Sequence, residues 1–373
     1  MTLLIKNDKC LACGECAERC ILDNIRVQTP PCRAACPVDL NPQQFVTLVA
    51  LGRSHQAAEA IHDSVPFPRL LADLCPAPCQ KSCTRRRVDQ AVAIHALELY
   101  LVESFEPAAD RFVLASDTGE QVAVVGAGPA GMTAAVRLRQ AGHKVVLFEA
   151  QDQAGGGARD QVSPEMLAAE IGLLADLGVE QRLGKQIGAS VDLAMLRRDF
   201  LAILLALGPE AQVDFAVREG AELDAEGRLK VDTKTMSTSL EGLFAAGQML
   251  DGVDNQVAAM GSAQKAARYV DRYARGQSLE LPRVLESEKI LPVRVDAQRV
   301  NELRWQAAKG LLAASYVPPA DGSLEEGDAS LAAVPCLRCA QPVDYYDECW
   351  YCLPCEVECP TSALILEIPF LVK

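Results

Sequence analysis

Residues 121–131 read Gln121-Val-Ala-Val-Val-Gly126-Ala-Gly128-Pro-Ala-Gly131. A short apolar strand turns through G-x-G-x-x-G directly into a helix, Met132 to Gln140. A second strand, Lys144 to Phe148, ends in Glu149, 18 residues past Gly131. Strand, glycine turn, helix, strand and acid, in that order, make a dinucleotide-binding βαβ unit. The glycines permit a tight turn, close approach to a pyrophosphate and close helix–strand packing. The helix N-terminus meets the phosphate charge, and Glu149 would accept hydrogen bonds from the adenosine ribose. The acid suits FAD and NAD alike, so the stretch predicts an α/β Rossmann-like domain and leaves the nucleotide open.

Around this unit the chain has 373 residues, enough for about two to four domains. Half the residues are hydrophobic and only 5% aromatic, and the formal charge of −14 argues against nucleic acid or an anionic membrane as partner. The longest apolar run, Phe200 to Leu207, is far short of the ~18 residues of a bilayer span. The apolar start of the chain stops at Lys6, before a signal-peptide core could form. The expectation is a soluble, cytoplasmic protein with no membrane insertion.

The 15 cysteines are divided between the ends: nine by Cys83, six from Cys336 onward, none between. Cys10, Cys13, Cys16 and Cys20 are spaced C-x2-C-x2-C-x3-C, as are Cys349, Cys352, Cys355 and Cys359, the last followed by Pro360. This is the bacterial ferredoxin run, in which three thiolates hold one [4Fe-4S] cluster and the fourth serves its neighbour. A zinc ribbon on Cys336, Cys339, Cys349 and Cys352 is the competing reading, but it strands Cys355 and Cys359. The two runs repeat at an offset of 339: Asp8 matches Asp347, and Ile25 and Val27 match Leu364 and Leu366. One ferredoxin-like α+β module built from both chain ends would place Cys10, Cys13, Cys16 and Cys359 on one cluster. Cys349, Cys352, Cys355 and Cys20 would hold the other. The alternative is two separate halves, each paired with a partner chain; Ile21, where the usual run has proline, is a departure.

Between the first run and the strand at 121, apolar residues recur at helical spacing in 43–51, 56–62 and 90–102. Here Cys32-x3-Cys36-Pro37, Cys75-Pro76-x2-Cys79-x3-Cys83 and Ala91-Val-Ala-Ile94 leading to Glu98 resemble the iron–sulfur domain of the glutamate synthase small subunit and dihydropyrimidine dehydrogenase family. The resemblance implies one cluster on Cys36, Cys75, Cys79 and Glu98. It implies a second on Cys32, Cys83 and a C-x2-C pair, whose form Cys336-Leu337-Arg338-Cys339 matches. Fifteen cysteines plus Glu98 make 16 ligands, a tally for four cubanes, although other partitions among Cys10–Cys32 reach the same total. Against this, a lone Glu on a helix is most often a solvated charge. Arg85, Arg86 and Arg87 read as a solvated face, and His55, His62, His95 and His143 as surface or satisfied core residues without ligand spacing.

The same resemblance turns the nucleotide toward FAD. Gly155-Gly156 follows the first motif, the stretch Ser239 to Gln248, with Gly242 and Gly247, is similar to the family's second flavin motif, and the helix Val257 to Arg275 to its closing helix. Gln248 stands where the family has Asp. The implied FAD set is Gly126, Gly128, Pro129, Ala130, Gly131, Glu149, Ala150, Gly156, Arg159, Gly247, Gln248 and Val257. The family's NADPH domain belongs between Leu207 and Leu223, and those 17 residues cannot fold one, which takes roughly 100. The expected domains are a ferredoxin-like half (1–30), a helical [4Fe-4S] domain (31–117), an FAD domain (118–280), a linker with one helix near Ala297 to Ala314 (281–335), and a second ferredoxin-like half (336–373). With no nucleophile–base pair visible, no catalytic residue is assigned. The expectation is an electron-transfer subunit working with other subunits of a redox complex or a ferredoxin. Two alternatives are an FAD-dependent oxidoreductase acting directly on NAD(P)H, and a zinc-stabilised scaffold.

Overall fold

The computed structural model describes residues 2–6, 8–13, 15–18, 25–105, 111–280, 290–292, 297–319, 322–340, 342–344 and 357–367. The chain forms two compact units, one of Val65–Leu74 with Ala108–Glu280, the other of Met1–Ser64, Cys75–Pro107 and Leu281–Lys373.

The first unit is a parallel sheet in the order Glu180–Arg182, Lys144–Phe148, Gln121–Val125, Ala202–Leu205, Leu243–Ala245. Its central strands are covered on both faces, so they read as unbroken apolar runs rather than alternating ones. The helices Pro129–Gln140 and Gln256–Ala274 pack together along one face. On the other, Phe148, Leu196, Phe200, Ile203 and Leu205 meet in the core. A Cβ at Gly131 would lie 1.7 Å from the Gly126 carbonyl oxygen, so only glycine lets the first helix sit this close to its strand.

The second unit is helical around Phe45, Ile61, Leu97 and Leu101, all fully buried, each contributing about 1.5–3 kcal/mol by leaving water. These side chains come from the helices Pro42–Ala50, Ser54–Ser64 and Ile94–Ser104. Proline opens three helices of this unit, Pro31–Ala34, Pro42–Ala50 and Pro78–Lys81, where its missing N–H costs nothing and its φ is already helical. Two small sheets join the chain ends. Thr2–Ile5 runs antiparallel to Leu364–Glu367, with Ile5 opposite Leu364. Ile25–Thr29 runs antiparallel to Pro342–Asp344, with Ile25 opposite Asp344, and parallel to Ile290–Pro292. Adding 339 to the pair 5–364 and subtracting it from the other partner returns the pair 344–25. The two antiparallel pairings are therefore images of each other, as a pseudo-twofold module with exchanged strands requires.

Two sequence expectations need correcting here. Residues 281–335 are more than a linker: the helix Glu326–Ala333 buries Ala329, Ala332 and Ala333 and packs on the helices Pro42–Ala50 and Ile94–Ser104. The other helix of this stretch runs Ala297–Ala308, shorter than expected, and Gly310 follows its end. Arg85 is not a solvated charge but 2% exposed. Its guanidinium pairs with Asp89 and donates to the carbonyls of Ala313 (2.7 Å) and Pro335 (3.0 Å). Alanine-rich, short-side-chain composition hides a packed helix from a hydropathy reading, and an arginine's burial depends on carbonyls 228 and 250 residues away. No helix among the described residues is long and apolar enough to cross a membrane.

Candidate functional site

The C-terminal ends of the parallel strands open into a cleft of about 1070 Å³. Gly126, Gly128, Pro129, Ala130, Glu149, Ala150, Gly156 and Gln248 line it. Gly131, Gly247 and Val257 are buried and do not line it, Gly247 donating its N–H to Ser262 Oγ (2.9 Å). Arg159 is exposed and donates to Gln153 rather than reaching the cleft. Glu149 accepts from the N–H groups of Ala127 (2.7 Å) and Gln151 (2.9 Å), which fix the carboxylate at the cleft edge with lone pairs to spare.

Two features fit this cleft to a bound nucleotide. Gly128 and Gly156 face each other, and a Cβ on Gly156 would come 2.8 Å from Gly128 Cα, so both backbones are left bare where a pyrophosphate would approach. Gln256, in the first turn of the closing helix, also lines the cleft and holds a buried Oε1 with no hydrogen-bond partner. Sequence reading passed over Gln256, although Asn255 before it marks a helix start, its side chain accepting from Ala258 N–H (2.9 Å). Lys185, Gln186 and Arg218 on the rim were also missed; they carry no motif.

In the other unit the structure gathers cysteines at three places. Cys10, Cys13, Cys16 and Cys359 line one cavity with Leu11, Ala12 and Pro360. Burial pushes the Cys10 thiol up to about 11. Burial works against the Cys359 thiolate too, but N–H groups of Leu364, Thr361 and Ala363 outweigh it and hold its pKa down; the Ala363 N–H lies 3.2 Å from Sγ. Asn41 Nδ2 donates to the carbonyls of Leu11 and Ala12 and so ties the Cys10–Cys13 loop to the helical core. Cys32, Cys83, Cys336 and Cys339 line a second cavity, although the chain separates the two pairs by more than 250 residues. The buried Gln43 amide closes this arrangement, donating to Ala340 O (2.7 Å) and accepting from Ala340 N–H (3.0 Å).

At the third place Cys75 Sγ and a Glu98 carboxylate oxygen lie within 4.8 Å of each other, and Cys36 and Cys79 feel the Glu98 charge; Glu98 is 3% exposed and therefore no solvated charge. Burial, with the Glu98 charge added to it, pushes Cys75 up to about 12; burial raises Cys36 to about 11 and Cys79 further still. His95, unassigned in the sequence, stands beside Glu98 with Nδ1 3.8 Å from Oε2. His62 is turned to Phe105 O (3.1 Å) and His143 to Asp271 and Thr118. At these three places buried and half-buried thiols crowd together, where bare thiolates would repel one another. Only cations of high charge density, such as cluster iron, reverse that balance, so the donor set fits [4Fe-4S] centres. Cys32 and Cys36, four residues apart along and just past the short helix Pro31–Ala34, tie the second and third places together, and Asn41 ties the Cys10–Cys13 loop to the same stretch of chain. Cys20, Cys349, Cys352 and Cys355 lie outside the described residues.

Residues 5–109 match the domain model described as dihydropyrimidine dehydrogenase domain II, 4Fe-4S cluster. Residues 124–180 match a NAD(P)-binding Rossmann-like domain. The chain is 30% identical over 213 residues to a NAD-dependent dihydropyrimidine dehydrogenase subunit PreT homolog of Salmonella typhi, covering 55% of this chain and 51% of that protein. It is 28% identical over 312 residues to the glutamate synthase (NADPH) small chain of Bacillus subtilis, covering 81% and 60%. It is 30% identical over 211 residues to NADP(+)-dependent formate dehydrogenase subunit beta of Moorella thermoacetica, covering 49% and 30%. The chain spans about half the length of the first two relatives. It thus joins a region similar to a 4Fe-4S domain to one similar to a Rossmann-like NAD(P)-binding domain.

Proposed function

We propose that this chain is an electron-transfer component that relays electrons between four [4Fe-4S] clusters and one FAD, to or from a partner subunit or a ferredoxin. When bound, clusters carry electrons singly and a flavin exchanges one or two, which links partners of both kinds. The observation that carries the reading is the gathering of thiols from distant parts of the chain: Cys10, Cys13, Cys16 and Cys359 at one cavity, and Cys32, Cys83, Cys336 and Cys339 at another, with Cys75 beside Glu98. Cys20, Cys349, Cys352 and Cys355 would hold the fourth cluster by the internal repeat. Within this reading Asn41 and Gln43 hold the ligand loops, the Gly128–Gly156 cradle admits the pyrophosphate, and Glu149 binds the ribose. The short connection from Leu207 to Leu223 supports a flavin served by protein partners rather than by its own NADPH domain.

A second reading, direct reaction of the flavin with NAD(P)H, draws on the NAD(P)-binding description of the matched Rossmann model. One experiment separates them. Anaerobic protein loaded with FAD and clusters is mixed with NADH, NADPH or reduced ferredoxin, and flavin bleaching is followed. The electron-relay reading expects rapid reduction by ferredoxin and negligible reduction by either pyridine nucleotide. The reverse pattern sinks it.

A further inference from the structure

Glu98 has a companion one turn earlier on its helix. His95 and Glu98 are three residues apart on Ile94–Ser104 and so share a face. A His95 ring nitrogen, a Glu98 carboxylate oxygen and Cys75 Sγ all lie within 4.8 Å of one another. His95 Nδ1 is buried and has no hydrogen-bond partner. Its 3.8 Å separation from Glu98 Oε2 is beyond hydrogen-bonding range. The position is set by the backbone: the His95 N–H donates to Gln80 Oε1 (2.7 Å), and Gln80 follows Cys79 directly. The first turn of the helix is thus tethered to the cysteine loop. An orphaned imidazole nitrogen beside two cluster donors asks for a metal, and imidazole binds iron well.

We propose that the non-cysteine corner of the Cys36–Cys75–Cys79 cluster has two protein donors, and that His95 ligates the iron when the Glu98 carboxylate leaves it. The inference rests on reading these three cysteines as cluster ligands. In the exchange one Fe–O bond breaks and one Fe–N bond forms, and no electron changes hands. A neutral imidazole in place of an anionic carboxylate favours the more negative, reduced cluster, so the exchange raises the site's potential.

The test uses the full chain, purified anaerobically with its clusters. Native mass spectrometry counts iron, and electron spin-echo modulation detects nitrogen bound to a reduced cluster. Glu98→Ala should keep the wild-type iron count and gain a nitrogen coupling. Glu98→Ala with His95→Ala should lose that coupling and one iron per chain, while His95→Ala alone should keep its iron. Glu98→Val, which fills more of the vacated space, repeats the test should alanine destabilise the helix. Loss of iron in Glu98→Ala and Glu98→Val alone, or full iron without nitrogen coupling, overturns the proposal. Cys75→Ala is the control on its premise: an unchanged cluster there would show instead that the ligand reading itself is wrong.

Discussion

Replacing Gly128 with valine separates the nucleotide cleft from the fold that carries it. A Cβ at Gly128 meets nothing nearer than Gly156 Cα at 3.8 Å, an ordinary contact. The backbone there, φ −75° and ψ 179°, is open to any L residue. The fold should therefore tolerate the change, and a more restricted unfolded chain contributes about 0.4–1 kcal/mol of stability. The added side chain instead points into the space between Gly128 and Gly156. A phosphate kept from the helix N-terminus loses a charge-assisted hydrogen bond of about 1.5–3 kcal/mol, roughly a ten- to hundredfold loss of FAD affinity. Gly131→Ala is the contrast, because its Cβ would sit 1.7 Å from Gly126 O and push the helix off the strand. FAD titrated into cofactor-free protein and followed by fluorescence should bind at about one per chain in the wild type and roughly ten- to hundredfold more weakly in Gly128→Val, with the melting temperature of the cofactor-free protein retained. Gly131→Ala should lose both. Full FAD affinity in Gly128→Val, or a collapse in stability equal to that of Gly131→Ala, would refute the assignment of this cleft.

Iron analysis should approach 16 Fe per chain from the ligand tally, and zinc in excess of iron would overturn the cluster reading. Cys359→Ser, or deletion of residues 340–373, should damage the cluster held by Cys10, Cys13 and Cys16, read as loss of an EPR signal; an intact signal would mean the N-terminal run closes its own site. Arg85→Ala breaks the ion pair with Asp89 and leaves the buried Pro335 carbonyl without its donor, and should destabilise the iron–sulfur unit by about 1–3 kcal/mol in a denaturant titration. Glu170 tests a pH dependence: burial pushes its carboxyl up to about 7, against the opposing Leu70 N–H, Arg111 and Arg69. The folded Rossmann unit holds that proton more tightly than the unfolded chain, so stability should fall as pH rises from about 4.5 to about 7. Glu170→Gln should flatten that slope, and an unchanged slope would exclude Glu170 as its source.

What the sequence by itself determined is everything that depends on near neighbours. Strand, G-x-G-x-x-G turn, helix and acid lie within residues 121–149, and their spacing alone implies the parallel sheet and its cleft. The spacing of Cys10, Cys13 and Cys16 likewise specifies one loop around one centre. Partners across the chain were beyond it. The internal repeat pointed to Cys359 for the first site and the form of Cys336-x2-Cys339 to the site of Cys32 and Cys83, yet other partitions counted equally well. Chain closure over hundreds of residues costs only a logarithmic entropy term, so spacing cannot rank them. The tertiary structure brings the strands Thr2–Ile5 and Leu364–Glu367 into register and locks Ala340 onto the buried Gln43 amide, which places Cys359 with Cys10 and Cys339 with Cys32 at shared cavities. The same holds for Arg85, whose carbonyl partners arrive from residues 313 and 335, and for His95, whose role depends on where Cys75 lies rather than on its own spacing. A ligand's neighbours in space are set by packing, and packing is decided only when the whole unit has closed.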